Sequence, residues 1–353
     1  MWQFRVLPIL LGALIVHGSA FGQFSGGSGT TTDPWVLATA ADIANLATTS
    51  TYWGDAFVQS AAIDMSAENP IQPIGIFDEP FTGTYDGGGF TIEDLIVLGR
   101  LQSQPGGDGF FGVVQASGAG FTIKELTLVS PTVIGASPDT GGLVGRMDGG
   151  IVQDCQVRGG CISGAENVGG LIGHVLDRGM ILRCCSATCA LGAENVGGLI
   201  GLNTGVVEDC YCQRNMVVQW GTQSSGSANV DLGGLIGRNF TGWVASCYAD
   251  CDEVLSQVDP LVTINAGGLV GTWVPDQGPF LFGPANYSCQ DTLGLPATFN
   301  NAIGSPASAD LKAWSNMVAV SIPQALLHLK STFRSWDFEY VWTIVSGKSP
   351  ELR

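Results

Sequence analysis

Charge is scarce in this sequence. Only 13% of its 353 residues are Asp, Glu, Lys or Arg, and the basic residues number 14 against 31 acidic ones. The resulting net charge of −17 repels phosphate backbones and counts against nucleic acid as a partner. Histidine is scarcer still: His17, His174 and His328 are the only three, and no His-Glu-x-x-His sequence occurs. A catalytic base needs an orienting partner, and none can be named for His174 or His328. Long apolar runs are also missing. The longest, Val6 to Val16, is interrupted by Pro8 and is too short to span a membrane as a helix.

That apolar run follows Arg5 and precedes Gly18-Ser-Ala20 or Ala20-Phe-Gly22, two small-x-small patterns. Together they read as an export signal over residues 1–22, which places the mature protein outside the cell or at its surface with no stable membrane span.

Glycine, in contrast, is abundant, with 51 residues and no collagen-like third-position period. One phrase accounts for much of it. Gly141-Gly-Leu-Val-Gly145 recurs as Gly169-Gly-Leu-Ile-Gly173, Gly197-Gly-Leu-Ile-Gly201, Gly233-Gly-Leu-Ile-Gly237 and Gly267-Gly-Leu-Val-Gly271. Successive starts lie 28, 28, 36 and 34 residues apart, the signature of stacked repeats. A 45% hydrophobic content makes this a folded chain, and each coil of such an array needs only its neighbours for a core.

Aligning the repeats gives columns. Ile92, Ile123, Val152, Ile181, Val207 and Val244 are all β-branched, as a pleated and packed surface favours. Three positions on stand Leu95, Leu126, Cys155, Cys184, Cys210 and Cys247. Faces of a straight strand alternate every two residues, so a bend is expected between these columns. Polar residues fill that bend: Asp94, Glu125, Asp154, Arg183, Asp209 and Ser246. Two residues before each glycine phrase stands Asp139, Asn167, Asn195, Asp231 or Asn265. Asn and Asp tolerate left-handed backbone, and side chains stacked in register can form hydrogen-bonded ladders, so this column is expected to be a structural corner.

Four segments follow: the signal at 1–22, a leader and cap at 23–75, the solenoid at 76–290, and a C-terminal cap at 291–353. In the leader, Ala38 to Ala47 is expected to form a short helix with Thr39 as N-cap. In the C-terminal segment, Pro296 to Pro306 is expected to be a loop, Asp310 to Val318 and Ala325 to Phe333 are candidate helices, and Trp336 to Ile344 an aromatic strand covering the last coil.

The glycine phrase with Ile-x-x-Cys downstream resembles the GLUG-motif repeats of bacterial secreted and surface proteins. Phe81 to Ile92 is similar to the segment that commonly precedes those repeats, and Trp336 to Leu352 to the one that closes them. The resemblance implies an all-β chain folded as a right-handed parallel β-helix of roughly six to seven coils. It also implies an adhesin-like role or a place beside peptidase domains. No agreed catalytic residues come with it. The chain departs from the pattern in its cysteines and in the basic residues after the phrase.

Ten cysteines in an exported chain invite a disulfide reading. Yet Cys155, Cys184, Cys210 and Cys247 share a column with leucines, so buried free thiols are preferred there. Cys161 and Cys189 could pair with each other or with Cys185, Cys212 or Cys251. Arg146, His174, Leu202, Arg238 and Thr272 form a column after the phrase that is read as solvent-facing. No cofactor or metal is expected, since Cys210-Tyr-Cys212 has no matching second pair. The candidate binding surface is a pair of polar insertions, Gln219 to Val230 and Val254 to Ile264, represented by Gln219, Trp220, Gln257 and Asp259. Two functions compete. One is a non-catalytic surface module that binds a glycan or a surface protein. The other is a polysaccharide-active enzyme built on Asp154, Arg183 and Asp209, three charged residues on consecutive coils.

Overall fold

A computed structural model describes residues 23–100, 106–116, 121–220, 229–256, 263–274, 286–289, 303–306, 319–322, 333, 339, 341–344 and 350–353. One coil shows the plan. Gly150–Gln153 is its first strand, Asp154 turns the chain, and Gln156–Ser163 is the second strand. Asn167–Gly169 and Ile172–Val175 complete the turn of the helix before Gly179–Leu182 begins the next. Corresponding strands of successive coils pair in parallel and make a parallel β-helix with sheets of eight, thirteen, six and seven strands. The two sheets that flank the glycine phrase hold six and seven strands, but the first face alone stacks eight, more than the six to seven coils expected. Among the described residues, no helix is long and apolar enough to cross a membrane.

The stack reaches past both expected boundaries. Trp35–Leu37 already pairs in parallel with Ala56–Gln59, well before residue 76. Ile303–Pro306, expected as loop, pairs with Val270–Val274, and Ala319–Ile322 pairs with Asn286–Cys289. The glycine phrase is therefore one way to build a coil here and not a requirement. The candidate helix at 310–318 lies outside the described residues, and so does that at 325–333 except for Phe333.

Ile123, Val152, Ile181, Val207 and Val244 stack in register on the first face, each wholly buried. Burying a side chain of this size contributes about 2 kcal/mol. Ile92 does not belong to that column. It pairs with Leu128 on the second face, while Tyr85 stands opposite Ile123. The Phe-Thr-Ile phrase thus occurs on two different faces, because a strand followed by a polar corner occurs twice per coil.

Those corners are left-handed. Glu125, Asp154, Arg183, Asp209 and Ser246 have φ between 49° and 54°. They divide the first face from the second. Asp94, Ser130 and Arg214, with φ of 52° to 53°, make a second corner within the larger sheet. A side chain in this region costs on the order of 1 kcal/mol, which short polar residues reduce by bonding locally. The expected bend is present, but left-handed backbone falls here and not in the Asx column.

Backbone proximity explains the glycine phrase. A Cβ on Gly197 would lie 2.0 Å from the Ile200 carbonyl oxygen of its own turn. On Gly198 it would lie 2.1 Å from the Gly234 oxygen of the next coil, and on Gly201 2.5 Å from the Val168 nitrogen of the preceding one. Leu199 and Ile200 between them are fully buried.

The helix Ala40–Thr48 starts at Thr39 with a capping box to Asp42 and buries Ile43 and Leu46 in the main core. At the other end the chain folds back instead of covering the last coil. Trp342–Thr343 pairs antiparallel with Glu351–Leu352, and Trp342 is buried against Tyr211 and Tyr248 at ring distances of 5.8 and 5.9 Å. The two tyrosines are stacked 5.1 Å apart on adjacent coils of the second face. Trp342 Nε1 donates to Asp209 Oδ1 at 3.4 Å, and Tyr248 is hydrogen-bonded to the Pro350 carbonyl. The C-terminal hairpin is a lateral strap packed on the tyrosine ladder.

Candidate functional site

The Asx column runs through the strands of the six-stranded sheet, and its members are register partners in consecutive coils. Asn167 donates to Asp139 Oδ1 at 2.6 Å, Asn195 to Asn167 Oδ1 at 2.6 Å, and Asn265 to Asp231 Oδ1 at 2.7 Å. The amide of one rung thus satisfies the oxygen of the rung before it. None of the five has a left-handed backbone.

The column after the glycine phrase turns toward this ladder and is not solvent-facing. Arg146 Nη1 bonds Asp139 Oδ2 at 2.8 Å. His174 Nδ1 lies 3.2 Å from Arg146 Nη1 and 3.4 Å from Asp139 Oδ2, accepting from the first or donating to the second according to its tautomer. The His174 and Arg146 side chains are only 12% and 20% exposed. Burial works to raise the Asp139 pKa, but hydrogen bonds from His174, Asn167 and Arg146 outweigh it and hold the carboxyl below its ordinary value. Three coils on, Asp231 accepts from Thr272 Oγ1 at 2.7 Å and lies 3.7 Å from Arg238 Nε. There burial prevails and the carboxyl is raised. His174 therefore has an orienting carboxylate at Nδ1, and both belong to a largely buried network with Arg146.

A second ladder was not legible as such. Asn203 donates to Asn239 Oδ1 at 2.7 Å, both wholly buried. Its signal is present in the sequence, since each stands two residues after a glycine phrase.

Asp154, Arg183 and Asp209 stand on successive left-handed corners, and the first two meet. Arg183 grips Asp154 with Nε and Nη2, each at 2.7 Å, and Asp209 accepts from the strap through Trp342. The pairing with Asp154 raises the Arg183 pKa. The bidentate grip explains the alternating charge on the corner column, so the trio gives a polysaccharide-active reading no separate support.

Cys155, Cys184, Cys210 and Cys247 are free and wholly buried. Their sulfurs face the axis of the stack: the Cys155 amide donates to Cys184 Sγ at 3.5 Å, and the Cys184 amide to Cys210 Sγ at 3.4 Å. In the following coil Asn286 Oδ1 takes the Cys247 amide at 3.0 Å. Cysteine here is more than a small apolar filler, because it accepts a bond that leucine cannot.

Of the insertion residues, Gln219 is the last residue of the strand Met216–Gln219 and is 1% exposed, which removes it from a ligand surface. Its strand pairs on both sides, so its position belongs to the ladder and not to the loop. Trp220 is 60% exposed beside the insertion. Gln257 and Asp259 lie outside the described residues. Among the described residues no three His, Cys, Asp or Glu side chains gather as a metal site would require.

No family model matches the chain. It is 30% identical to halomucin of Haloquadratum walsbyi over 163 residues, which are 44% of this chain and 2% of halomucin. It is 33% identical over 129 residues to a protein of Evansella cellulosilytica provisionally named a Gly-rich membrane protein, covering 35% of this chain and 12% of that one. The chain thus spans a small fraction of the curated relatives it matches. Among solved structures, it superposes with TM-score 0.65 on a Bacteroides ovatus protein provisionally described as an immunoglobulin A1 protease. That match covers 94% of this chain and 96% of the other at 17% identity, a likeness of fold.

Proposed function

We propose that this chain is an exported, non-catalytic module whose β-solenoid presents a binding surface for a glycan or a surface protein. The observation that carries this reading is the contrast between the coil and its rim. The Asn and Asp side chains of the ladder are engaged with one another along the stack, whereas Trp220 is 60% exposed at the start of the polar insertion. An exposed indole there suits stacking on a sugar ring or packing on a protein. The resemblance to GLUG-motif repeats and the local likeness to halomucin and a Gly-rich membrane protein support a surface setting.

The test compares the intact chain with Trp220→Ala and with a variant lacking residues 221–228 and 257–262. Binding to immobilised neutral and acidic polysaccharides and to whole cells is measured beside far-ultraviolet circular dichroism. Both variants should keep the strand spectrum and lose at least tenfold in binding. Undiminished binding by a folded loop-deleted variant would sink the site assignment. Intact mass of the secreted protein checks export: the chain should begin within a few residues of Gln23.

A further inference from the structure

Leaving Cys251 aside, eight described cysteines are free thiols, and six of them are buried. Cys161 and Cys189 are the exceptions. They are register partners on adjacent coils of the second face, and both are partly exposed. Neighbouring strands place such partners about 4.8 Å apart, inside the Cα range that a disulfide spans. The ladder shifts register between Arg158 and Cys161, where Gly159 and Gly160 take positive φ. Beside the pair lies an open cavity of about 260 Å³, lined by Gly159, Gly160, Cys189, Arg214, Met216 and Asp252. No role in the core or the strap uses either sulfur.

We propose that Cys161 and Cys189 form a surface dithiol that exchanges with an external disulfide and closes into a disulfide between adjacent coils. The Cys161 thiolate attacks one sulfur of the incoming disulfide, whose bond breaks and releases one thiolate. The Cys189 sulfur, which lines the cavity, then attacks the mixed disulfide, loses its proton to solvent and releases the second thiolate. One external disulfide is reduced to two thiols, and two protein thiols become one disulfide. The hydrogen bond from Cys189 lowers the Cys161 thiol to about 7, so the attacking form is populated near neutrality. The same bond, with burial, raises the Cys189 thiol and keeps its proton in place until Cys161 has reacted. By contrast, burial pushes the Cys185 thiol up to about 12, and the Cys212 thiol is raised by burial and by Cys251.

The native full chain is treated with oxidised glutathione, and its thiols are counted by intact mass and peptide mapping. The wild type should lose two thiols to a single Cys161–Cys189 link, with a rate that rises as pH passes through about 7. Cys189→Ser should stop at one glutathione on Cys161, and Cys161→Ser should react at least tenfold more slowly. Circular dichroism on each variant confirms that the coils remain folded. A link between other cysteines, no link, or equal reactivity of the two variants would overturn the proposal.

Discussion

Asp139 and Asp231 occupy equivalent rungs of one ladder, 1% and 2% exposed, yet the structure treats their charges differently. Asp139 has a guanidinium at 2.8 Å and an imidazole at 3.4 Å, and it remains the more acidic of the two. Asp231 has its guanidinium at 3.7 Å and relies on neutral donors, Thr272 and Asn265, so burial raises it. Equal burial does not set equal chemistry. Whether a buried carboxylate stays charged is decided by the cations that the neighbouring column places against it, and the neutral Asn rungs at other levels show that the ladder itself needs no charge.

The largest test of that contrast removes the cation. Arg146→Met should cost about 3 kcal/mol in urea unfolding at neutral pH, because it leaves the buried Asp139 carboxylate without its nearest cation. The matched Arg238→Met should cost less than ~1 kcal/mol, since that pair is longer and its arginine more exposed. Similar losses from both would break the comparison.

Acid sharpens it, because the two signs are opposite. A carboxyl with a lowered folded pKa stabilises the fold above its unfolded value near 3.8 and loses that contribution as pH falls through the folded value. Asp139→Asn should therefore be destabilising at pH 7, with its deficit shrinking below pH 3.8. A carboxyl with a raised folded pKa destabilises the fold as pH climbs above 3.8, and acid relieves it. Denaturant titrations from pH 2 to pH 7 should show these opposing slopes in the two Asn variants.

The smallest effect is Asp231→Asn at neutral pH. Asn167, Asn195 and Asn265 show that the column accommodates an amide, so stability should stay within about 0.5 kcal/mol or rise. A loss above that would mean that Arg238 supports Asp231 more strongly than the 3.7 Å separation implies.

The repeat, the β-helix, the Asx ladder and the corner were legible because each recurs in every coil and so appears as a column. Misreadings arose where one local pattern serves two places. Phe90-Thr-Ile and Phe121-Thr-Ile look alike, yet they lie on different faces, since both precede a left-handed polar corner. Arg146 and His174 looked exposed because charge usually is, but their partner Asp139 lies seven residues before one and in the preceding coil for the other. The strap was illegible for a related reason. Trp342 meets Tyr211 and Tyr248 across about a hundred residues or more, and no periodicity encodes such a contact. The thiol bonds between coils were hidden because Leu126, one coil before Cys155, made the column look purely apolar.

The glycine phrase has a consequence for how such a chain can lengthen. Its three glycines fit against their own turn, the coil ahead and the coil behind, and the surfaces they fit are the same phrase again. The 28-residue unit beginning at Gly169 therefore presents equivalent junctions at its two ends. Duplicating or excising that unit restores the contacts it interrupts, so chain length can change by whole coils without a new interface having to be invented.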